Sequence, residues 1–229
     1  MEARLASETD LAGFREEARL LLRQQVPPEE VRWHAAQAQN SDDFAAPGGD
    51  AAPHDPPKAA SAIVPASFLR LCEVVVLHHD PERFALLYRL LWRLVHEPAL
   101  RHDPVDADMA RAHQMAQSVR RDIHKMKAFL HFRPIRAADG QILQLAWFAP
   151  AHHVVEAVAS WFASRHPHER WAIFTPERSV EWDGRQLHYA HGLMRAQAPA
   201  ADAGDEAWLD CHRGVFAQRH EQPAPPTAP

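Results

Sequence analysis

Between Val119 and Pro134 the chain reads VRRDIHKMKAFLHFRP. Arg120, Arg121, His124, Lys125, Lys127 and Arg133 crowd around one acid, Asp122, with Ile123, Met126 and Phe129 interleaved. Side chains of these types at this density suit an anion. Guanidinium and ammonium groups hold phosphate oxygens, and an imidazole donates a hydrogen bond or a proton. The chain as a whole carries a formal net charge of −5. That excludes coating of a polyanion by the entire surface and leaves a local patch as the route to one.

At about 100° per residue, a helix through this stretch turns Met115, Val119, Ile123, Met126 and Leu130 towards the core. His113, Arg120, His124, Lys127 and His131 fall in the next arc, at the core's edge. Arg121 and Lys125 lie further round as an i, i+4 pair of like charge. Such a pair costs an isolated helix about 0.2–0.5 kcal/mol, so helix stability does not explain it. Two readings stay open on the residues alone. One is a solvated basic face whose stems cover apolar surface, with Asp122 pairing a neighbouring arginine. The other is a phosphate site with His124 as donor.

Other residues offer different chemistry. His124 is the one candidate general acid/base, but residues two apart on a helix diverge, so Asp122 cannot orient it. Its partner would come from elsewhere, Asp183 or Glu156. Among seventeen histidines, His78-His79-Asp80 and His152-His153 with Glu156 are the clusters nearest to a ligand set. Neither has HExxH spacing, and no metal is expected. There is no Gly-rich phosphate loop, no GxSxG elbow and no cysteine cluster, so no cofactor is expected either. Cys72 and Cys211 stand far apart as lone thiols, which fits a reducing, cytoplasmic compartment. No apolar run has signal-peptide or membrane-spanning length. Trp147, Trp161, Trp171 and Trp182 have apolar companions and default to core, with Trp182, beside a hairpin tip, the most exposed. Arg89 and Arg93, an i, i+4 pair, either extend a basic surface or bind carboxylates within the domain.

The elements that must position these groups follow from periodicity and turn chemistry. Asp10–Gln25 reads as an amphipathic helix with Leu11, Phe14, Ala18 and Leu21 on one face, capped by Asp10 and ended by Pro27-Pro28. VRWHA, 31–35, is a short strand. Residues 40–57, rich in Asp, Ala, Gly and Pro, form a flexible loop. Helices follow over 66–78, with Phe68, Leu71, Cys72 and Val75 inward, and from Asp80 (N-cap) and Pro81 onwards, with Leu86, Leu90, Trp92 and Val95 deeply buried. A third runs from Asp106 to about Leu130. The period then changes. FLHFRPIR and QILQLAWFAP make a hairpin about Asp139-Gly140. HHVVEAVASWFASRH is helical, and WAIFTPER is a strand. SVEWDGRQLHY is a second hairpin, with a two-residue turn setting Val180 opposite Leu187 and Trp182 opposite Arg185. Val180, Trp182, Leu187 and Tyr189 then share a face, and Ser179, Glu181, Gln186 and His188 the other. Asp205–Phe216 is the last helix, and 217–229 is a Pro-rich tail or linker. The expected architecture is α+β: N-terminal helices, then an antiparallel sheet of two hairpins with packing helices, in a single domain over 1–216.

With these blocks in order, VRRDIHKMKAFLHFR resembles the signature of a bacterial family assigned to DNA metabolism. That family is a domain of unknown function found alone or in front of a uracil-DNA glycosylase domain of the UdgX kind. The resemblance also covers ARLLL…VPPEEVRW, DPERFALLYRLLWRL, LAWFAPAHHVVE, WAIFTPERSVEWDG and AWLDCHRGVF. Similar chains often occur beside a radical SAM protein. The sequence departs at His131, where the family usually has arginine, and at VFAQRHEQP, where it usually reads IFNPARL; both soften positive charge. No glycosylase motif falls in these residues. The resemblance implies a DNA-repair accessory module that binds DNA, without a membrane. Arg120, Arg121, Lys125, Lys127 and Arg133 would hold phosphates and His124 would donate. An enzyme using His124, or an adaptor for a radical SAM or uracil-DNA glycosylase partner, are the alternatives.

Overall fold

A computed structural model describes residues 1–36, 64–97, 99–100, 105–137, 140–200 and 202–216. The expected loop at 40–57, Asp139 and the tail at 217–229 lie outside the described residues. The chain divides into two compact units, Met1–Arg121 and Asp122–Pro229.

The first unit opens with β1 (Glu2–Leu5), α1 (Leu11–Arg23) and β2 (Arg32–Ala35). β1 and β2 pair in parallel from Glu2↔Arg32 to Leu5↔Ala35. β1 has no sequence signature beyond one alternation, Ala3 and Leu5 buried between exposed neighbours. α1 begins as expected: Asp10 accepts a 2.8 Å bond from the Gly13 amide, filling one of the orphan donors of the first turn. Phe14, Ala18 and Leu21 are its buried residues. α2 (Ala66–Val75) buries Phe68, Leu71, Cys72 and Val75, the predicted face. Burial pushes the Cys72 thiol up to about 12, so it is inert as a nucleophile.

α3 (Arg83–His96) begins two residues later than its Asp80 cap would place it. Asp80 still accepts from the Glu82 amide at 2.9 Å, but within a turn that precedes the helix. Leu86 and Leu90 are fully buried, whereas Trp92 and Val95 are only half-buried. Leu87, Leu91 and Leu94 take the interior instead, and Trp92 stacks on His96, one turn on, at 4.1 Å. Phe14, Trp33, Phe84 and Tyr88 form an aromatic cluster with centroid separations of 5.1 Å for Phe14–Trp33 and 5.8 Å for Trp33–Tyr88.

Two arginine networks hold this unit. Arg83 is 1% exposed. It spends its donors on Val76 O at 2.9 Å, Asp80 O at 3.0 Å, and the carbonyl and carboxylate of Glu8, both at 2.6 Å. A charge buried this deeply persists only when its donors are met, and here the partners tie the chain start to α3. Arg89 and Arg93, of ambiguous role in the sequence, bind carboxylates. Arg89 grips Asp108 with bonds of 2.9 and 2.7 Å. Arg93 reaches Asp106 at 2.7 Å and Asp108 at 3.2 Å. Both acids sit at the start of α4 (Ala107–Phe129).

The second unit is a five-stranded sheet in the order β3-β4-β5-β6-β7. Its strands are β3 (Arg133–Arg136), β4 (Ile142–Trp147), β5 (Arg170–Phe174), β6 (Arg178–Trp182) and β7 (Leu187–His191), with α5 (Val155–Arg165) and α6 (Asp205–Phe216). The α+β class stands, and both hairpins form. The β4–β5 joint between them is parallel, because α5 returns the chain to the same end of the sheet before β5 begins. The expected strand 171–178 is broken at Thr175, whose hydroxyl donates to Arg178 O at 2.7 Å and accepts from its amide at 3.2 Å. That turn makes β5-β6-β7 a meander.

The β6–β7 register differs from the predicted one. Trp182 lies opposite Leu187 and Val180 opposite Tyr189, so the turn has four residues, not two. Asp183 Oδ1 sets it by accepting from the Arg185 and Gln186 amides at 2.7 and 2.8 Å, and Gly184 supplies a φ of +95°. Because the shift is by two residues, the face assignment survives. Both faces of β6 are covered: Ser179, Val180 and Glu181 are at most 1% exposed. α6 covers one face through Trp208, Val215 and Phe216 against Ile135, Leu145 and Phe174. Phe162 of α5 meets Trp171 on the other at 6.1 Å.

The Arg89–Asp108 bonds, opposed by burial, hold the Asp108 carboxyl below its ordinary value of 3.8. A depressed folded value stabilises the ionised native state above about pH 4, and the gain is lost as pH falls through the folded pKa. Asp108→Asn should cost about 1–2 kcal/mol at neutral pH, discounted for the partly exposed Arg89. In urea denaturation the difference from wild type should shrink steadily in acid, where the wild-type carboxyl is also uncharged.

Candidate nucleic-acid interface

The cationic stretch is helical through Phe129, and α4 carries it as one rod. Ala112, Met115, Ala116, Val119, Asp122 and Met126 are its buried residues. Ile123, expected at the centre of the buried arc, is only half-buried. Asp122 lies about 100° round the helix from Ile123, so the buried side of α4 extends one position further there than the apolar pattern predicts.

Asp122 is the acid at that margin. It is 7% exposed and does not pair with a neighbouring arginine. Its Oδ2 accepts the backbone amides of Ala151 and His152 at 2.8 and 2.9 Å. Those amides lie in the turn that leads into α5, where backbone donors otherwise go unmet. A carboxylate accepting two backbone bonds is fixed in place and keeps its charge off the solvent side.

The cations lie on the remaining arc of the helix. Arg120, Arg121, His124 and Lys125 are exposed, and Lys127 is half-buried. Among the described residues none of these five side chains is ion-paired. Arg120, His124 and Lys127, at i, i+4 and i+7, make one continuous row about 10 Å long, and Arg121 with Lys125 makes a second. Arg133 is not on this helix. It opens β3 and lies 3.4 Å from Asp205 at the start of α6, so any anion it met would compete with a carboxylate.

The Lys127 ammonium sits over the Trp161 ring, 5.1 Å from its centroid. At an exposed site such a contact is worth about 0.5–1 kcal/mol. Trp161 is 40% exposed, on the outward face of α5 with Ala157, Ser160, Ser164 and Arg165. Trp182, expected to be the exposed tryptophan, is half-buried: it stands across from Trp171, and its indole donates to Pro167 O at 3.3 Å. Trp171 is fully buried, and Trp147 donates to Leu193 O at 3.0 Å.

The catalytic alternative finds no support in the hydrogen bonding. No described side chain is bonded to His124. Asp183 instead lies 2.9 Å from His188 Nε2, and Glu156 lies 3.0 Å from Arg178 Nε. Two members of the histidine clusters have bonds of their own. His153 Nδ1 meets Glu177 at 2.6 Å, and His78 Nδ1 accepts the Asp80 amide at 3.0 Å. One buried acid escaped notice in the sequence. Glu181, 1% exposed, lies 3.5 Å from both Arg170 and His212; its alternation marked only a face.

An α+β protein whose longest helix buries its single central acid and exposes the surrounding cations is thus defined by its own geometry. The chain belongs to the family of the domain of unknown function DUF4130, whose model matches residues 81–224. The match takes in α3 to α6, and with them Asp122, the cationic rows and Trp161. No curated protein and no solved structure is significantly similar to the chain. Among the described residues no helix is long and apolar enough to cross a membrane.

Both bonds to Asp122 end on one oxygen, so substitutions separate charge from geometry. Asp122→Asn can keep both acceptor contacts and should cost about 1 kcal/mol, whereas Asp122→Ala strands two amides and should cost about 3 kcal/mol. Chemical denaturation of the two variants should show that ordering.

Proposed function

We propose that this protein is an accessory module of DNA metabolism and repair that binds the phosphate backbone along the outward rows of α4. Arg120, Arg121, Lys125 and Lys127 hold phosphates, and His124 donates a hydrogen bond. Arg133 joins them when a phosphate displaces Asp205. The observation that carries the reading is that, among the described residues, Arg120, Arg121, Lys125 and Lys127 have no ion-pair partner. Upstream, Arg89, Arg93 and Arg111 each close on a carboxylate, so this chain pairs its arginines where they serve the fold. At the strip the nearby acid faces inward and the cations stay open to a ligand.

The link to repair rests on the resemblance of VRRDIHKMKAFLHFR and its companion blocks to a bacterial DNA-metabolism family. From the same source we take the partners, a radical SAM protein or a UdgX-type uracil-DNA glycosylase domain, and a cytoplasmic setting. The contribution of this chain on that reading is backbone binding, with base chemistry supplied by the partner. Phosphate contacts fix position without reading sequence, which suits a module that serves lesions in any context.

With about three phosphates neutralised, the logarithm of affinity should fall with the logarithm of salt at a slope of about −2 to −3. Anisotropy titrations of labelled DNA measure it, and Arg120→Ala with Lys127→Ala should flatten the slope by about two. Undiminished binding by that double variant would refute the assignment. His124→Ala should weaken binding only slightly; loss of a turnover activity with affinity intact would favour the enzyme reading instead.

A further inference from the structure

We infer that the α4 strip takes single-stranded DNA, with a base stacked on Trp161. The inference rests on the proposed phosphate reading of the strip and adds the strand form that the site selects.

Three observations converge on Trp161. The ring is 40% exposed, although Val158, Ala159, Phe162 and Ala163 give α5 a buried face of its own. It therefore is not needed outward for folding. Among the described residues its one close ring partner is Phe162, which meets it edge-on at 5.0 Å and 81°, an arrangement that steadies the indole while leaving ring surface in water. Cations flank it: Lys127 from α4 at 5.1 Å, and Arg165 one turn further along α5 on the same exposed face.

An aromatic platform beside a row of cations is the arrangement single strands require. Every unpaired base offers a π face, and the backbone next to it offers phosphates. A duplex hides those faces inside its stack, so Trp161 gains nothing from duplex DNA beyond what the cations supply. Lys127 sits where the two recognition modes meet. Its contact with the ring is weak at an exposed site, so it can exchange the ring for a phosphate when a base arrives. Arg120 and His124, in the same row of α4, lead away from Trp161 as the track for neighbouring phosphates. Phe129 is more exposed still, at 65%. It projects from the other flank of the helix beside Lys125, outside the row that ends at Trp161.

The test compares a labelled oligothymidylate with a duplex of equal length by anisotropy across a salt series, using the full chain. Trp161→Ala should weaken oligothymidylate binding about 5- to 150-fold. It should leave the salt slope and duplex binding unchanged. Trp161→Phe should restore most of the loss, and wild-type tryptophan emission should be quenched by oligothymidylate more than that of Trp161→Phe. Phe129→Ala should behave as wild type, and circular dichroism should show each variant folded. Unchanged oligothymidylate affinity in Trp161→Ala, equal losses for both DNA forms, or an equal loss in Phe129→Ala would overturn the stacking inference while leaving the phosphate strip intact. Failure of the wild-type protein to bind either DNA form would overturn both.

Discussion

The second unit is organised by one carboxylate accepting two amides. Asp122 lies inside a run of six cationic or imidazole side chains, where a surface acid would be expected to neutralise its neighbours. The run has instead turned it to the turn ahead of α5, where it bonds Ala151 and His152. An exposed ion pair with an adjacent arginine is worth at most about 1 kcal/mol, while charge-assisted bonds to two amides are worth more and remove a buried penalty. The stronger arrangement wins, and the acid widens the buried side of α4. Arg120 and His124 are exposed and Lys127 half-buried, with Asp122 turned away from them.

The first unit uses charge in the opposite way. Arg83, buried with four acceptors, and Arg89 and Arg93, clasped to Asp106 and Asp108, are structural cations whose bonds are complete. Placing Asp106 and Asp108 at the start of α4 also suits the positive end of the helix dipole. The same helix thus begins in compensated charge and proceeds into uncompensated charge. A helix stabilised at its first turn can carry the like-charged Arg121–Lys125 pair further on, because the cost of that pair is a few tenths of a kcal/mol.

Helix positions and the sheet's faces were legible because they depend on local pattern. The Asp10 cap, the buried face of α2 and the alternation of β6 and β7 each follow from residues close in sequence. Errors arose where a distant partner decides. The apolar wheel centred α4 on Ile123, since no pattern scores an aspartate as inward-facing until the amides of Ala151 and His152 are known to be waiting for it. The β6–β7 turn took four residues because the Asp183 carboxylate caps two amides that a two-residue turn would have lacked. Trp182 lost its predicted exposure to its neighbour across the sheet, Trp171, and Trp161 gained it through the outward phase of α5. β1 offered only two buried side chains and depends on β2, almost thirty residues away. In the site, the cations were readable from composition, but their unpaired state was not.

The proposed function has to reconcile a positive strip with a chain of net charge −5. Charges beyond about 8–10 Å are screened at physiological salt, so the strip acts locally while the acidic remainder adds little repulsion at contact. About three phosphate contacts alone give weak, sequence-independent attachment. One stacked base adds affinity without adding salt dependence, which makes the complex more persistent in cellular salt than charge alone allows. Even so, such a module holds DNA usefully only when joined to a second binding surface, because linkage turns its modest affinity into an intramolecular event at high effective concentration. Weak local affinity is therefore what an accessory role requires: strong enough to orient a strand for a partner, and weak enough to release it.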